Sequence, residues 1–140
     1  PMLSPNGCGL SPDGKVLYVA DTEGSRLFAF DVEGPGVLRK PKAHAPHSGK
    51  VIGGVPGPAR FDSLAVLANG NIAVATLTTG MITEFTPAGA VARTVKMPDV
   101  YPTNICFGGA DMRTAYITLS DQGQLGTMQW PEPGLKLNFN

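Results

Sequence analysis

Net charge is the first thing this sequence lacks: 11 basic residues balance 11 acidic ones, and only 16% of the 140 residues are charged. A surface so balanced offers no electrostatic footprint for nucleic acid or for an anionic membrane. The densest basic stretch, Arg39, Lys40, Lys42 and Lys50, reads as a solvated loop. Cysteine is scarce too. Cys8 and Cys106 pair only if the fold brings them together, and they are expected as reduced, buried thiols of a cytoplasmic chain. No apolar run approaches the ~20 residues of a membrane helix, and no leader segment is visible. Helical stripes are also missing, which removes the βαβ architectures.

What the sequence has is glycine and proline, 18 and 13 residues, set among 42% apolar residues. That mixture suits short strands punctuated by turns. A polar turn followed by an apolar strand occurs three times, starting at Asp13-Gly14, at Asn69-Gly70 and at Asp111-Met112, with offsets of 56 and 42 residues. The second offset lies in the range of propeller blades, and an extra loop at 34–60 lengthens the first. The expected architecture is all-β: about three four-stranded antiparallel blades, with approximate units 1–60, 61–102 and 103–140.

Within these units strands are expected at 8–11, 16–21 and 27–32, then at 63–67, 72–77, 81–86 and 91–96. The last unit offers 105–107, 114–119 and 125–130. A fourth strand of the first unit falls near either Val37 to Arg39 or Lys50 to Gly53. Pro131, Pro133 and Gly134 interrupt any fourth strand of the last unit. A β-sandwich is the rival architecture; the repeated register favours the propeller.

That register also aligns Asn6, Asp62 and Asn104, each expected just before the innermost strand of its unit. Any one of them is an ordinary turn residue. Three at one repeat position would converge on the channel as hard oxygen donors for a divalent cation. Asp21, Thr22 and Asp31 follow strand ends and either face the channel mouth or cap turns, with the turn reading preferred. His44-x-x-His47 has a zinc-like spacing but lies in a Pro- and Gly-rich loop without a third donor. Tyr18, Phe28, Phe30, Phe85 and Tyr116 are expected in the core.

The ordered motifs Pro5-Asn6-Gly7, Leu10-Ser11-Pro12-Asp13-Gly14, Phe61-Asp62-Ser63-Leu64 and Pro102-Thr103-Asn104-Ile105 resemble those of one family. It is the family of senescence marker protein, gluconolactonase and luciferin-regenerating enzyme. The ending, from Trp130-Pro131 to Leu137-Asn138-Phe139, is similar to the family's C-terminus. The resemblance implies half of a six-bladed propeller whose channel holds one divalent metal, calcium, zinc or magnesium, and which hydrolyses sugar lactones or related cyclic esters. It implies Asn6 and Asp62 as metal ligands, Asp62 also as a candidate catalytic base, and Asn104 as part of the substrate pocket.

Two departures qualify the resemblance. Where relatives commonly read Pro-Asp-Gly, this chain has Phe61-Asp62-Ser63. The family's metal-binding Glu, and an Asn and Arg from the first half of its ring, have no counterpart in these 140 residues. The ring is therefore expected to be completed by other polypeptide, either an N-terminal fragment or a second identical chain. The partners implied are a small-molecule lactone and that polypeptide, with no nucleic acid and no membrane. The alternative is a non-catalytic metal-binding or regulatory propeller fragment.

Overall fold

The repeated turns have a local cause. In this computed structural model, which describes residues 2–45 and 48–138, Asp13, Asn69 and Asp111 use Oδ1 in the same way. Each accepts the backbone N–H two residues on, at 3.1, 2.9 and 3.1 Å. Such turns replace a backbone acceptor with a side-chain oxygen. Gly14 and Gly70 follow at φ of 70° and 88°, where a Cβ is strained. His47 of the histidine pair and Phe139 of the C-terminal motif lie outside the described residues.

Three antiparallel sheets follow from these turns. The first contains β1 (Pro5–Leu10), β2 (Val16–Asp21), β3 (Arg26–Gly34), β4 (Val37–Leu38) and β5 (Lys50–Gly53). The second is β6 (Arg60–Val66), β7 (Ile72–Leu77), β8 (Met81–Phe85) and β9 (Val91–Lys96). The third is β10 (Pro102–Gly108), β11 (Thr114–Leu119) and β12 (Gln124–Gln129). Both candidates for the first sheet's fourth strand form, because β3 is long enough to pair with each. Its Val32 and Gly34 pair with β4, and its Leu27 to Ala29 pair with β5. The third sheet stops at three strands among the described residues. No helix is long and apolar enough to cross a membrane.

The sheets pack face to face like propeller blades, in an arc that does not close into a ring. Tyr18, Ala20 and Leu27 of the first sheet meet Leu64, Val74 and Phe85 of the second. Ala73, Ala75 and Ile82 on the second sheet's other face meet Ile105, Ala115 and Ile117 of the third. The innermost strand β6 lies against both β1 and β10.

The repeat slips by one residue inside the sheets. From the matching pairs Leu10↔Leu17, Val66↔Ile72 and Phe107↔Ala115 the chain takes six, five and seven residues to return, and the β10–β11 ladder runs one pair further, to Gly108↔Thr114. Structurally matching middle-strand residues are Val19, Val74 and Ile117, spaced 55 and 43 apart. On the inner strands the match is Cys8, Leu64 and Ile105, spaced 56 and 41 apart. Because side chains alternate faces, a slip of one moves a residue to the other side of its sheet.

Two core expectations are corrected. Tyr18 is 3% exposed against the second sheet, but Tyr116 is 37% exposed. Both point toward the following blade position, which in the third sheet is open. Cys8 and Cys106 are free, as expected, but exposed rather than buried. Cys8 pairs across the strands with Val19 on the first sheet's outer face, and Cys106 with Tyr116 on the third sheet's outer face.

The two outer faces differ. On the first, Phe28 and Phe30 stack at 6.3 Å and are buried, with Met2 and Leu17 packed against their cluster. On the third, Tyr116 shares its face with Asn104-side polar residues, and Leu125 of β12 is 66% exposed. Tyr18→Ala is expected to cost about 3–5 kcal/mol, as for a truncated core aromatic. Tyr116→Ala in this chain is expected to cost under about 0.5 kcal/mol, as at a surface position. Urea denaturation of the two variants beside the parent checks the contrast.

Candidate functional site

The candidate residues lie inside the inner strands, at bulges, and not just before the strands. Between Pro5↔Asp21 and Cys8↔Val19, the pair Asn6-Gly7 opposes the single residue Ala20. Between Phe61↔Thr76 and Leu64↔Val74, the pair Asp62-Ser63 opposes Ala75. A bulge of this kind re-aims side chains out of the strand's regular alternation. Asn6 and Asp62 are thus true counterparts on neighbouring inner strands, and the Asn6 amide lies close enough to the Asp62 carboxylate to favour its charged form. Asn6 Nδ2 donates to Thr22 Oγ1 at 3.3 Å.

Asn104 is not the third member of this set. In β10 the irregularity lies between Pro102↔Leu119 and Asn104↔Thr118, so Thr103 holds the position of Asn6 and Asp62. Asn104 stands where Gly7 and Ser63 stand in the other two strands. Thr103 Oγ1 lies 2.8 Å from Thr118 Oγ1. Asn104 instead lines an open cavity of about 660 Å³ along the three inner strands. Cys8, Leu64, Cys106, Leu135 and Leu137 line it as well. Thr22 reads as a turn cap in the sequence, and Thr103 and the C-terminal leucines carry no site role there; the Thr-Asn order at 103–104 was the available signal for Thr103.

Electrostatics separates Asp62 from its neighbours. Asp62 is half-buried. Burial pushes its carboxyl above the usual range, against the lowering effect of the Asn6 amide and the Ser63 backbone N–H. Asp21 shows the opposite balance. Its burial is outweighed by backbone N–H groups of Leu3, Ser4 and Gly24, at 2.9, 2.7 and 3.4 Å, which hold the carboxyl below its usual range. Asp21 therefore does what a turn residue does: it fastens the segment before β1 to the β2–β3 turn. Asp31 is engaged by Arg39 at 2.5 Å, and His44 is exposed in its loop.

Asp62 and Asn6 fit part of a hard-cation site. Asn6 Nδ2 is engaged by Thr22 Oγ1, which leaves Oδ1 as the amide's donor to a cation. These oxygens suit calcium, magnesium or zinc, and fill two places of a calcium shell of about six to eight. Among the described residues no group of three or more His, Cys, Asp or Glu stands together to hold a metal.

The family model described as the SMP-30/Gluconolactonase/LRE-like region matches residues 1–121. The chain belongs to that family. It is 33% identical over 134 residues to 6-deoxy-6-sulfogluconolactonase of Pseudomonas putida, across 92% of this chain and 43% of that protein. Two solved structures share the fold. A luciferin-regenerating enzyme superposes with a TM-score of 0.77 at 20% identity, over 97% of this chain and 49% of that one. Regucalcin of Agrobacterium tumefaciens, described as a calcium-binding protein, gives 0.76 at 21% identity, over 97% and 50%. The chain spans about half the length of these relatives.

The raised carboxyl of Asp62 carries a signed prediction. A carboxyl whose pKa is higher in the fold than unfolded contributes stability at low pH, which is lost as pH rises through the folded value. Asp62→Asn removes that loss. The variant is expected to match the parent near pH 3 and to have the higher urea midpoint at pH 7. A lower midpoint at pH 7 would show that the carboxylate is a structural anchor like Asp21.

Proposed function

We propose that this chain carries part of the site of a metal-dependent lactonase, which hydrolyses a sugar lactone or related cyclic ester. The observation behind this reading is the Asn6–Asp62 pair: a half-buried carboxylate disfavoured by burial, joined to an amide from the adjacent inner strand. The family match and the likeness to a sulfogluconolactonase support the same chemistry.

Asn6 and Asp62 would hold a divalent cation, which when bound would supply Lewis-acid polarisation of the ester carbonyl and a lowered pKa for water. Hydrolysis adds water across the ester: the carbonyl carbon gains the hydroxyl, the ring carbon–oxygen bond breaks, and the ring oxygen takes a proton. In this reading Asp62 accepts the proton that the attacking water loses. Asn104 presents an amide to the substrate from the wall of the cavity. The remaining ligands come from polypeptide that completes the ring, supplied by an N-terminal segment or by a second copy of this chain. The open face of the third sheet and the half-length match to relatives support that completion.

A second reading is a metal-binding or regulatory propeller without turnover. The single carboxylate at the centre and the fold shared with a calcium-binding protein favour it. Titration with calcium, zinc and magnesium, followed by a panel of lactones including glucono-δ-lactone, separates the two: metal uptake without turnover selects the second. Under the first reading Asp62→Asn is expected to weaken metal binding and turnover by tenfold or more, on the order of removing a charged ligand, and Asn104→Ala far less. Equal metal retention by Asp62→Asn and the parent overturns the assignment. Light scattering tests completion of the ring, since a folded, monodisperse species of 14.6 kDa at micromolar concentration defeats it.

A further inference from the structure

Asn6 and Asp62 come from different sheets, so something must bring β1 and β6 unusually close. Gly7 is buried at that contact. A Cβ placed on it would lie 2.6 Å from Leu64 N, 2.6 Å from Ser63 Cα and 2.8 Å from the Ser63 carbonyl carbon. All three are backbone atoms of the β6 bulge, and no side-chain rotation relieves the clash. The glycine is not there for its backbone freedom, because Gly7 is not among the residues with positive φ. Nor does a bulge of this kind demand glycine: the matching positions are Ser63 in β6 and Asn104 in β10. What distinguishes Gly7 is the strand pressed against it.

We propose that Gly7 is a positioning residue: its missing side chain sets the β1–β6 spacing at which the Asn6 amide reaches the Asp62 carboxylate. The proposal rests on the metal-site reading for its consequence, but the geometry stands apart from it. Gly9, two residues on in the same strand, is the natural control. A Cβ there meets Val66 Cγ2 at 3.0 Å and Leu64 Cδ1 at 3.1 Å, both ends of side chains that can turn aside.

The test uses the 140-residue chain and the NMR resonance of the Asn6 side-chain amide, assigned by its loss in Asn6→Ala. In Gly7→Ala that resonance is expected to move toward its position in Asp62→Ala, and in Gly9→Ala to stay where the parent has it. Calcium or zinc affinity, titrated with the metal alone, is expected to fall about 10- to 100-fold in Gly7→Ala. Gly7→Ala added to Asn6→Ala should cause no further loss, since one acts through the other. An unmoved Asn6 amide in folded Gly7→Ala, or additive losses, overturns the proposal. Should Gly7→Ala not fold, the parent decides: a strong NOE from Gly7 Hα to the Leu64 amide proton is expected, and its absence overturns the close approach. A parent that takes up no metal counts against the proposed function, and the amide readout still decides the role of Gly7.

Discussion

The middle sheet is apolar on both faces, and the rest of the chain is arranged to cover it. Along β7, Ile72 and Val74 point one way, Ala73 and Ala75 the other, and all four are fully buried. A half-polar strand of an ordinary two-layer protein would leave one of these faces in water. Here each face needs a sheet of its own, which is why a single blade cannot stand alone and why neighbours stack in sequence. The two contacts use side chains of different size. Small Ala73 and Ala75 face the third sheet, while Phe61 and Phe85, edge to face at 5.6 Å, pack in the cluster shared with the first.

The third sheet is secured by more than apolar contact. Glu84 of β8 is almost wholly buried, and it accepts hydrogen bonds from Asn71 Nδ2 at 2.6 Å and Trp130 Nε1 at 3.2 Å. Arg93 sits 3.8 Å from the same carboxylate and 5.8 Å from the Trp130 ring centroid. A buried carboxylate is tolerated when its lone pairs are engaged in this way. Trp130 follows β12 directly, so the network ties the end of the third sheet to the second. Beyond it the chain turns back: Ala68 N–H donates to Pro133 O at 2.9 Å, and Leu135 N–H to Val66 O at 3.0 Å. That return delivers Leu135 and Leu137 to the channel cavity.

What was legible in the sequence was whatever a few adjacent residues decide. Asp13-Gly14 and Asn69-Gly70 announce their turns because side chain and φ act within three residues, and β2, β7, β9 and β11 begin and end at the residues expected from the sequence. The inter-strand register was not legible, since it depends on return lengths that differ by one or two residues and leave no mark in composition. That slip put Asn104 beside Asn6 and Asp62 in sequence alignment when Thr103 is their partner in space. The burial of Tyr116 and the two cysteines failed for another reason. Alternation correctly names the face a residue is on, but only the presence of a neighbouring blade decides whether that face is dry.

The carboxylates then sort themselves by what they hold. Asp21 gathers three backbone N–H groups, and Asp99 accepts those of Tyr101 and Gln122 at 2.6 and 2.9 Å, so each binds a turn to the start of an inner strand. Glu84 joins two sheets. Removing any of these leaves orphaned donors and a loosened chain. Asp62 is different: it is held at the inner edge of its sheet, burial disfavours its charge, and its side-chain donor comes from another candidate ligand. A fold gains little from such a group, because the same bulge would form with an amide in its place. Under the proposed function the carboxylate is there for what it binds, and Gly7 to bring Asn6 to the same point.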